Sequence, residues 1–175
     1  MDSRKRDRLR TGVKYCLVGL GLAVLYVVLD FAVDFRPAQI RDSYRFEVRT
    51  LPEDQAGILR QDNLSILVIR RSAVTIARLQ MTDARLQDPQ SRHSNQPSFA
   101  ANPLRSKYPE FFVSYALGTE FGCALEAVEF ELREICGSAR YDFAGRALVG
   151  DQQFQNLAIP DYNFSGDFST LTIRP

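Results

Sequence analysis

The chain is poor in the residue types on which many catalytic and metal sites depend. Its 175 residues include one histidine, three cysteines and no tryptophan. The cysteines form no Cys-x-x-Cys motif, which argues against a thiol-exchange protein. A nucleophile elbow, a zinc motif and a phosphate-binding glycine loop are also missing, so the sequence offers no support for a hydrolase.

Clusters of like charge are missing outside one short segment. The net charge is +1, and basic residues crowd the start of the chain: Arg4, Lys5, Arg6, Arg8, Arg10 and Lys14. The remainder is close to balanced and shows no basic patch of the kind that binds nucleic acid. A chain of this length has room for one compact domain and an appendage.

The appendage is predicted to be a transmembrane helix at residues 13–33. Residues 15–29 carry no charge, and about 20 apolar residues are enough to cross a hydrocarbon core. The basic residues 1–12 should then stay in the cytoplasm, because local lysine and arginine set the orientation of a span. The rest of the chain is expected to be exported.

Two other interpretations of the apolar run remain open. A cleaved signal peptide also combines a basic start with an apolar stretch, although residues 30–39 lack a clean small-x-small cleavage site. A buried core helix fits less well, because the run is apolar on all faces and is flanked by opposite charges.

The exported part is predicted to be all-β. Residues 34–43 mix arginine, proline and glutamine and are interpreted as a tether, and the domain is placed at residues 44–175. Residues 74–87 have helical spacing, while residues 88–109 form a long polar loop. Short strands are predicted in YRFEVRTL, NLSILVIRRS, FFVSYALGT, VEFELREI, RYDFAGRAL, NLAIPDYNF and STLTIRP.

Two cysteine-containing segments lie in the second half of the chain, GTEFGC (118–123) and EICGSARYD (134–142). With them, this half resembles the cluster-binding half of the Rieske iron-sulfur subunit of bacterial cytochrome bc1 complexes. That family has a first box, C-T-H-L-G-C, and a second, C-P-C-H-G-S-x-Y-D. The residues GTEFGC (118–123) match the first box without gaps, and EICGSARYD (134–142) match the second. The resemblance implies a small antiparallel β-sandwich domain on one N-terminal transmembrane helix.

The four positions that hold the cluster in the family are changed here. The family needs Cys, His, Cys and His, whereas this chain has Gly118, Glu120, Glu134 and Gly137. One iron of a Rieske centre is held by two thiolates and the other by two imidazoles. A chain whose only histidine is His93, in the long loop, cannot supply two imidazoles in any register. No [2Fe–2S] cluster and no other metal is therefore expected.

The resemblance also implies a disulfide between Cys123 and Cys136, because in the family the corresponding cysteines join the two cluster loops. An oxidising compartment would favour that bond. Two free thiols are the alternative, and they require a cytoplasmic domain. Cys16 lies in the apolar run and is interpreted as a small buried hydrophobe.

Three functions follow from the resemblance. The first is a structural or accessory subunit of a respiratory electron-transfer complex of the cytochrome bc1 type, with no catalytic activity of its own. The second is a ubiquinol–cytochrome c reductase-type electron-transfer protein with non-standard ligation, in which Glu120 and Glu134 would favour a hard ion; as solvated loop acids they would have no such role. The third, redox exchange by the disulfide, is disfavoured.

The resemblance also implies a location. It predicts a single-pass protein of the bacterial inner membrane, with a cytoplasmic N terminus, a periplasmic β domain and respiratory subunits as partners. No arginine pair stands before the apolar run, so export of an unfolded chain without cofactor fits better than twin-arginine export.

Overall fold

The computed structural model describes residues 3–34, 42–81 and 84–174. The chain separates into two units that divide between residues 41 and 42. The predicted tether, residues 34–43, falls largely on residues 35–41, which lie outside the described residues. The fold therefore has to be read from each unit by itself.

The first unit contains one helix, α1, at Ser3–Asp34. The part of α1 that is long and apolar enough to cross a membrane is Arg10–Ala32. Its large apolar side chains are exposed, which suits a helix whose neighbours are lipid tails. The described residues thus provide one candidate span, and the helix begins within the basic segment rather than after it.

The second unit is all-β apart from short helical pieces, as predicted. Its strands are β1 (Tyr44–Glu47), β2 (Ala56–Gln61), β3 (Leu64–Arg70), β4 (Phe111–Tyr115), β5 (Leu125–Val128), β6 (Glu131–Glu134), β7 (Arg140–Asp142), β8 (Asp161–Phe164) and β9 (Thr170–Arg174). Helix α2 spans Ala73–Gln80, and a 3₁₀ turn spans Ser98–Ala100. The Ser72 hydroxyl caps α2 by accepting from the Thr75 N–H at 3.2 Å.

The strands form three antiparallel three-stranded sheets, in the orders β1-β9-β8, β2-β3-β4 and β5-β6-β7. Strand β3 is central in its sheet, and its residues 66–69 are fully buried, which explains its continuous apolar run. The buried core continues through Phe112, Leu132, Tyr162 and Leu171. The loops of the candidate site lie before β5 and between β6 and β7 of the third sheet.

Two strand assignments differ from the sequence-based expectation. VEFELREI was predicted as one strand, but the chain turns within it, between β5 and β6, where Glu129 has φ 56°. Strand β2 was not predicted. It pairs with β3 through a turn at Asp62, which also has a positive φ, and neither turn contains a glycine or proline to signal it.

The long loop before β4 is packed onto the core by two buried arginines. Arg105 is fully buried, and Arg71 is 2% exposed. Arg105 donates to the carbonyl oxygens of Leu157 and Gly145, both at 2.8 Å, and to that of Ala144 at 3.3 Å. Burial lowers the pKa of Arg105 to about 10. The long loop is thus a packed part of the fold.

Asp88 accepts several hydrogen bonds at the start of the same loop, and its contribution to the stability of the fold should depend on pH. Its carboxylate accepts from the N–H groups of Arg92 (2.9 Å) and His93 (3.0 Å) and from the Ser94 hydroxyl. Burial alone would raise the pKa of Asp88, but these hydrogen bonds outweigh it, and the pKa lies below its usual value. The carboxylate therefore stabilises the folded chain fully above the unfolded aspartate pKa of about 3.9, and this contribution is lost as the pH falls through the lowered folded value.

Asp88→Ala is expected to cost about 1 kcal/mol at neutral pH, comparable with the loss of a side-chain cap. The difference in the free energy of unfolding between the wild type and the variant should shrink as the pH falls below about 4. Urea unfolding at several pH values measures it. Asp151→Ala, at an exposed position, is the control. A difference that stays constant down to the lowest pH would contradict this role for Asp88.

Candidate functional site

The candidate site is formed by two loops. One leads into the third sheet, and the other connects two strands of that sheet. We call residues 116–124, between β4 and β5, the first loop, and residues 135–139, between β6 and β7, the second loop. The disulfide implied by the resemblance is present: Cys123 and Cys136 are bonded, with their Cα atoms 6.1 Å apart. It ties the two loops together at one end of the sheet.

Glu134, at the end of β6, points its carboxylate into the first loop. The residue is 0% exposed. Its oxygens accept from the backbone N–H groups of Glu120 at 3.0 Å, Phe121 at 2.9 Å and Cys123 at 2.8 Å. The expectation of a solvated loop acid is therefore wrong for this residue, because the hydrogen bonds satisfy a buried charge that water would otherwise solvate.

Glu120 makes the reverse connection, from the first loop to the second. It is half-buried, and its carboxylate accepts from the N–H groups of Ser138 at 2.6 Å and Ala139 at 2.9 Å. Each carboxylate is thus bonded to backbone N–H groups. Glu134, from the end of β6, bonds the first loop, and Glu120, from the first loop, bonds the second.

Gly118 and Gly137, the two glycines that the resemblance aligns with ligand positions, lie against these carboxylates. A Cβ at Gly118 would come within 2.7 Å of Glu134 Cγ and closer still to its carboxylate. A Cβ at Gly137 would lie 2.8 Å from Glu120 Cδ. Both positions need glycine for this close approach. The four positions of the ungapped match therefore form two pairs, Gly118 with Glu134 and Gly137 with Glu120.

Tyr141 takes part in hydrogen bonding rather than packing alone. It is fully buried, and its hydroxyl oxygen accepts from the Thr119 N–H at 2.8 Å. Burial raises the pKa of Tyr141, so the hydroxyl stays neutral. Thr119 also donates its hydroxyl to the Gln155 carbonyl at 2.7 Å, which connects the first loop to a third segment.

That third segment is residues 151–155. Its residues 151–154 lie where the resemblance implies a proline-rich loop over the cluster, and they contain no proline. Gln87 holds the segment instead. Its amide donates to the carbonyls of Leu148 and Gln152, both at 2.8 Å, and its oxygen accepts from the Phe154 N–H at 2.6 Å. The sequence reasoning missed Gln87, Thr119 and Arg105, since no spacing marks a residue that bonds distant backbone.

Metal-ligating side chains come together at one place, but not in a form that fits a cluster. Single atoms of Cys123, Glu134 and Cys136 lie within 4.8 Å of one another, yet the two sulfurs are spent in the disulfide. His93 is exposed and lines a cavity of about 700 Å³ beside Phe154 and Gln155. Two thiolates and two imidazoles are what a Rieske centre requires, so the donor set here does not fit one.

The chain is similar to the ubiquinol-cytochrome c reductase iron-sulfur subunit of Allochromatium vinosum. The two are 30% identical over a 118-residue alignment, which covers 61% of this chain and 57% of that protein. The match therefore spans little more than half the length of the curated relative.

A solved structure described as a hyperthermophilic respiratory Complex III also matches. Its TM-score is 0.48 at 16% identity, with 93% of this chain and 98% of that chain covered. No protein-family model matches the chain.

Proposed function

We propose that this protein is a membrane-anchored, Rieske-like subunit without a cluster, which serves a respiratory electron-transfer complex as a structural or accessory component. One observation carries the proposal. The four former ligand positions are two glycines and two glutamates, and both carboxylates are already bonded to backbone N–H groups. Iron-sulfur clusters are held by thiolates, with two imidazoles on one iron of a Rieske centre, and these four positions supply neither.

The proposed topology places the basic segment in the cytoplasm and the β domain in the periplasm. The basic residues before the candidate span support this orientation. A disulfide in the exported unit supports it independently, because such bonds persist in oxidising compartments. Both lines point to a domain outside the bacterial inner membrane.

The proposed partners are the subunits of a cytochrome bc1-like complex. Apolar side chains stand out from the two loops: Leu117, Phe121 and Ile135 are 48%, 68% and 61% exposed. Exposed aromatic and branched side chains close together favour a protein interface. Because the chain has no redox group of its own under this proposal, the contribution is to assembly or stability of the complex.

The cofactor test uses the full chain, purified anaerobically in detergent from bacterial membranes. Iron, acid-labile sulfide and the low-temperature electron paramagnetic resonance spectrum after dithionite reduction are measured on one sample. We expect iron well below stoichiometry and no cluster signal. A stoichiometric signal would overturn the proposal and favour the alternative, an electron-transfer protein with non-standard ligation.

The partner test compares the wild type with Phe121→Asp, isolated by an affinity tag from membranes of the source bacterium. Haem b and haem c absorption in the eluate reports co-purification of a cytochrome bc1-like complex. We expect haem in the wild-type eluate and at least a tenfold loss in the variant, which places a charge in an apolar interface. Val74→Asp, at an exposed position on α2, is the control. Absence of haem from the wild-type eluate would contradict the proposed partner.

A further inference from the structure

We infer that Glu134 and Glu120 serve as built-in anions that occupy a cradle of backbone N–H groups where the resemblance would place a cluster. The inference rests on the proposed absence of a cluster. Beyond that proposal, it assigns the two loops as a carboxylate-binding site, and the carboxylates that fill this site are side chains of the same chain. The site forms without any bound group.

The first half of the cradle is the more buried. Three consecutive or nearly consecutive N–H groups of the first loop, those of Glu120, Phe121 and Cys123, point at one carboxylate. N–H groups that converge in this way form an anion-binding concavity. Without the Glu134 side chain, these donors would face a buried cavity with no acceptor, which is costly.

The second half repeats the arrangement in the opposite direction. The N–H groups of Ser138 and Ala139, in the second loop, point at the Glu120 carboxylate. Each loop therefore supplies donors to the other loop's glutamate. The disulfide between Cys123 and Cys136 is a separate, covalent connection between the same loops.

The glycines make room for this exchange. Any side chain at Gly118 would overlap the Glu134 carboxylate, and any at Gly137 would overlap that of Glu120. Each glycine is thus matched to one glutamate. A cysteine or histidine at either glycine position would force the facing carboxylate out of its place.

A truncated glutamate should leave a site for a small free carboxylate, which provides the test. Glu134→Ala in the full chain is expected to lower the thermal midpoint by on the order of 10 °C, given the unsatisfied buried donors. Sodium formate at 0.2 M should recover several degrees of this loss, whereas sodium chloride at equal ionic strength should not. Near-ultraviolet circular dichroism of the tyrosines reports unfolding.

Two controls and a milder variant keep the outcome interpretable. Glu126→Ala removes an exposed glutamate from β5 and should show neither the loss nor the rescue by formate. If Glu134→Ala does not fold, Glu120→Ala, which frees only two donors at a half-buried position, takes its place with a smaller expected loss. A variant that folds but gains nothing from formate beyond the control would overturn the inference.

The glycine pairing is tested by a double-mutant cycle. Gly118→Ala alone should lower the midpoint by at least 5 °C because its methyl group meets the Glu134 side chain. In a Glu134→Ala background the same substitution should have almost no effect. Equal effects in both backgrounds would refute the pairing.

Iron and sulfide assays on the same preparations separate this inference from the proposed function. A cluster in the wild type would defeat both. An iron-free wild type whose Glu134→Ala and Glu120→Ala variants ignore formate would defeat only the assignment of the two carboxylates as ligands of the cradle.

Discussion

Replacing Arg105 with methionine is expected to lower the free energy of unfolding by about 3–5 kcal/mol. The substitution removes the guanidinium donor from the carbonyl oxygens of Ala144, Gly145 and Leu157. Of these, the Gly145 oxygen still accepts from the Leu157 N–H at 2.8 Å. It also removes the bond from Arg105 Nε to the Gln96 side chain at 3.0 Å, which holds the long loop. Urea unfolding of the full chain in detergent measures the change.

Arg92→Met is the matched control, because it makes the same chemical change on an exposed arginine of the same loop. It should change the free energy of unfolding by less than about 0.5 kcal/mol. If Arg105→Met were as stable as the control, the long loop would not depend on this residue. Limited proteolysis of residues 88–109 gives an independent readout: Arg105→Met should be cut faster there than Arg92→Met.

Removing the disulfide is expected to cost about 3 kcal/mol in the chain-entropy model. The bond joins cysteines 13 residues apart, and Cys123→Ser with Cys136→Ser would release the restraint on the unfolded chain. The carboxylate bridges between the loops remain in this variant, so we expect a less stable but folded domain. The free energy of unfolding, measured with and without a thiol reductant, tests this: the reductant should destabilise the wild type and leave the double variant unchanged.

Cys16→Ser is the control for the disulfide, since Cys16 is a free, exposed cysteine on α1. Maleimide labelling under denaturing, non-reducing conditions should modify one cysteine per wild-type chain and none in Cys16→Ser. Labelling of three cysteines in protein taken from the cell would show free thiols, and it would argue against both the disulfide and a periplasmic domain.

Under the proposed function the two loops hold no metal, and the carboxylate bridges and the disulfide connect them instead. Metal-binding loops are commonly unstable once the metal is removed, because binding and folding are coupled. Here Glu134 satisfies three N–H groups of the first loop and Glu120 two of the second. The loops can therefore keep their shape and present Phe121 and Ile135 to a partner.

The sequence by itself determined the all-β class of the second unit, the candidate span and the small number of metal-ligating side chains. Composition and pattern are sufficient for these features, because a membrane helix needs only a long apolar run and a Rieske centre needs a countable set of side chains. One histidine is too few, whatever the fold. The pairing of Cys123 with Cys136 came from the resemblance, and the structure contains it.

Only the tertiary structure decided what the replaced positions do. Nothing in the spacing of Gly118, Glu120, Glu134 and Gly137 indicates that each glutamate lies against the glycine of the opposite loop. The same holds for Arg105, whose backbone carbonyl acceptors lie 39 to 52 residues away in the chain. Local pattern reports the burial and periodicity of a segment, whereas the partners of a buried charge depend on which distant backbone groups the fold brings within hydrogen-bonding distance.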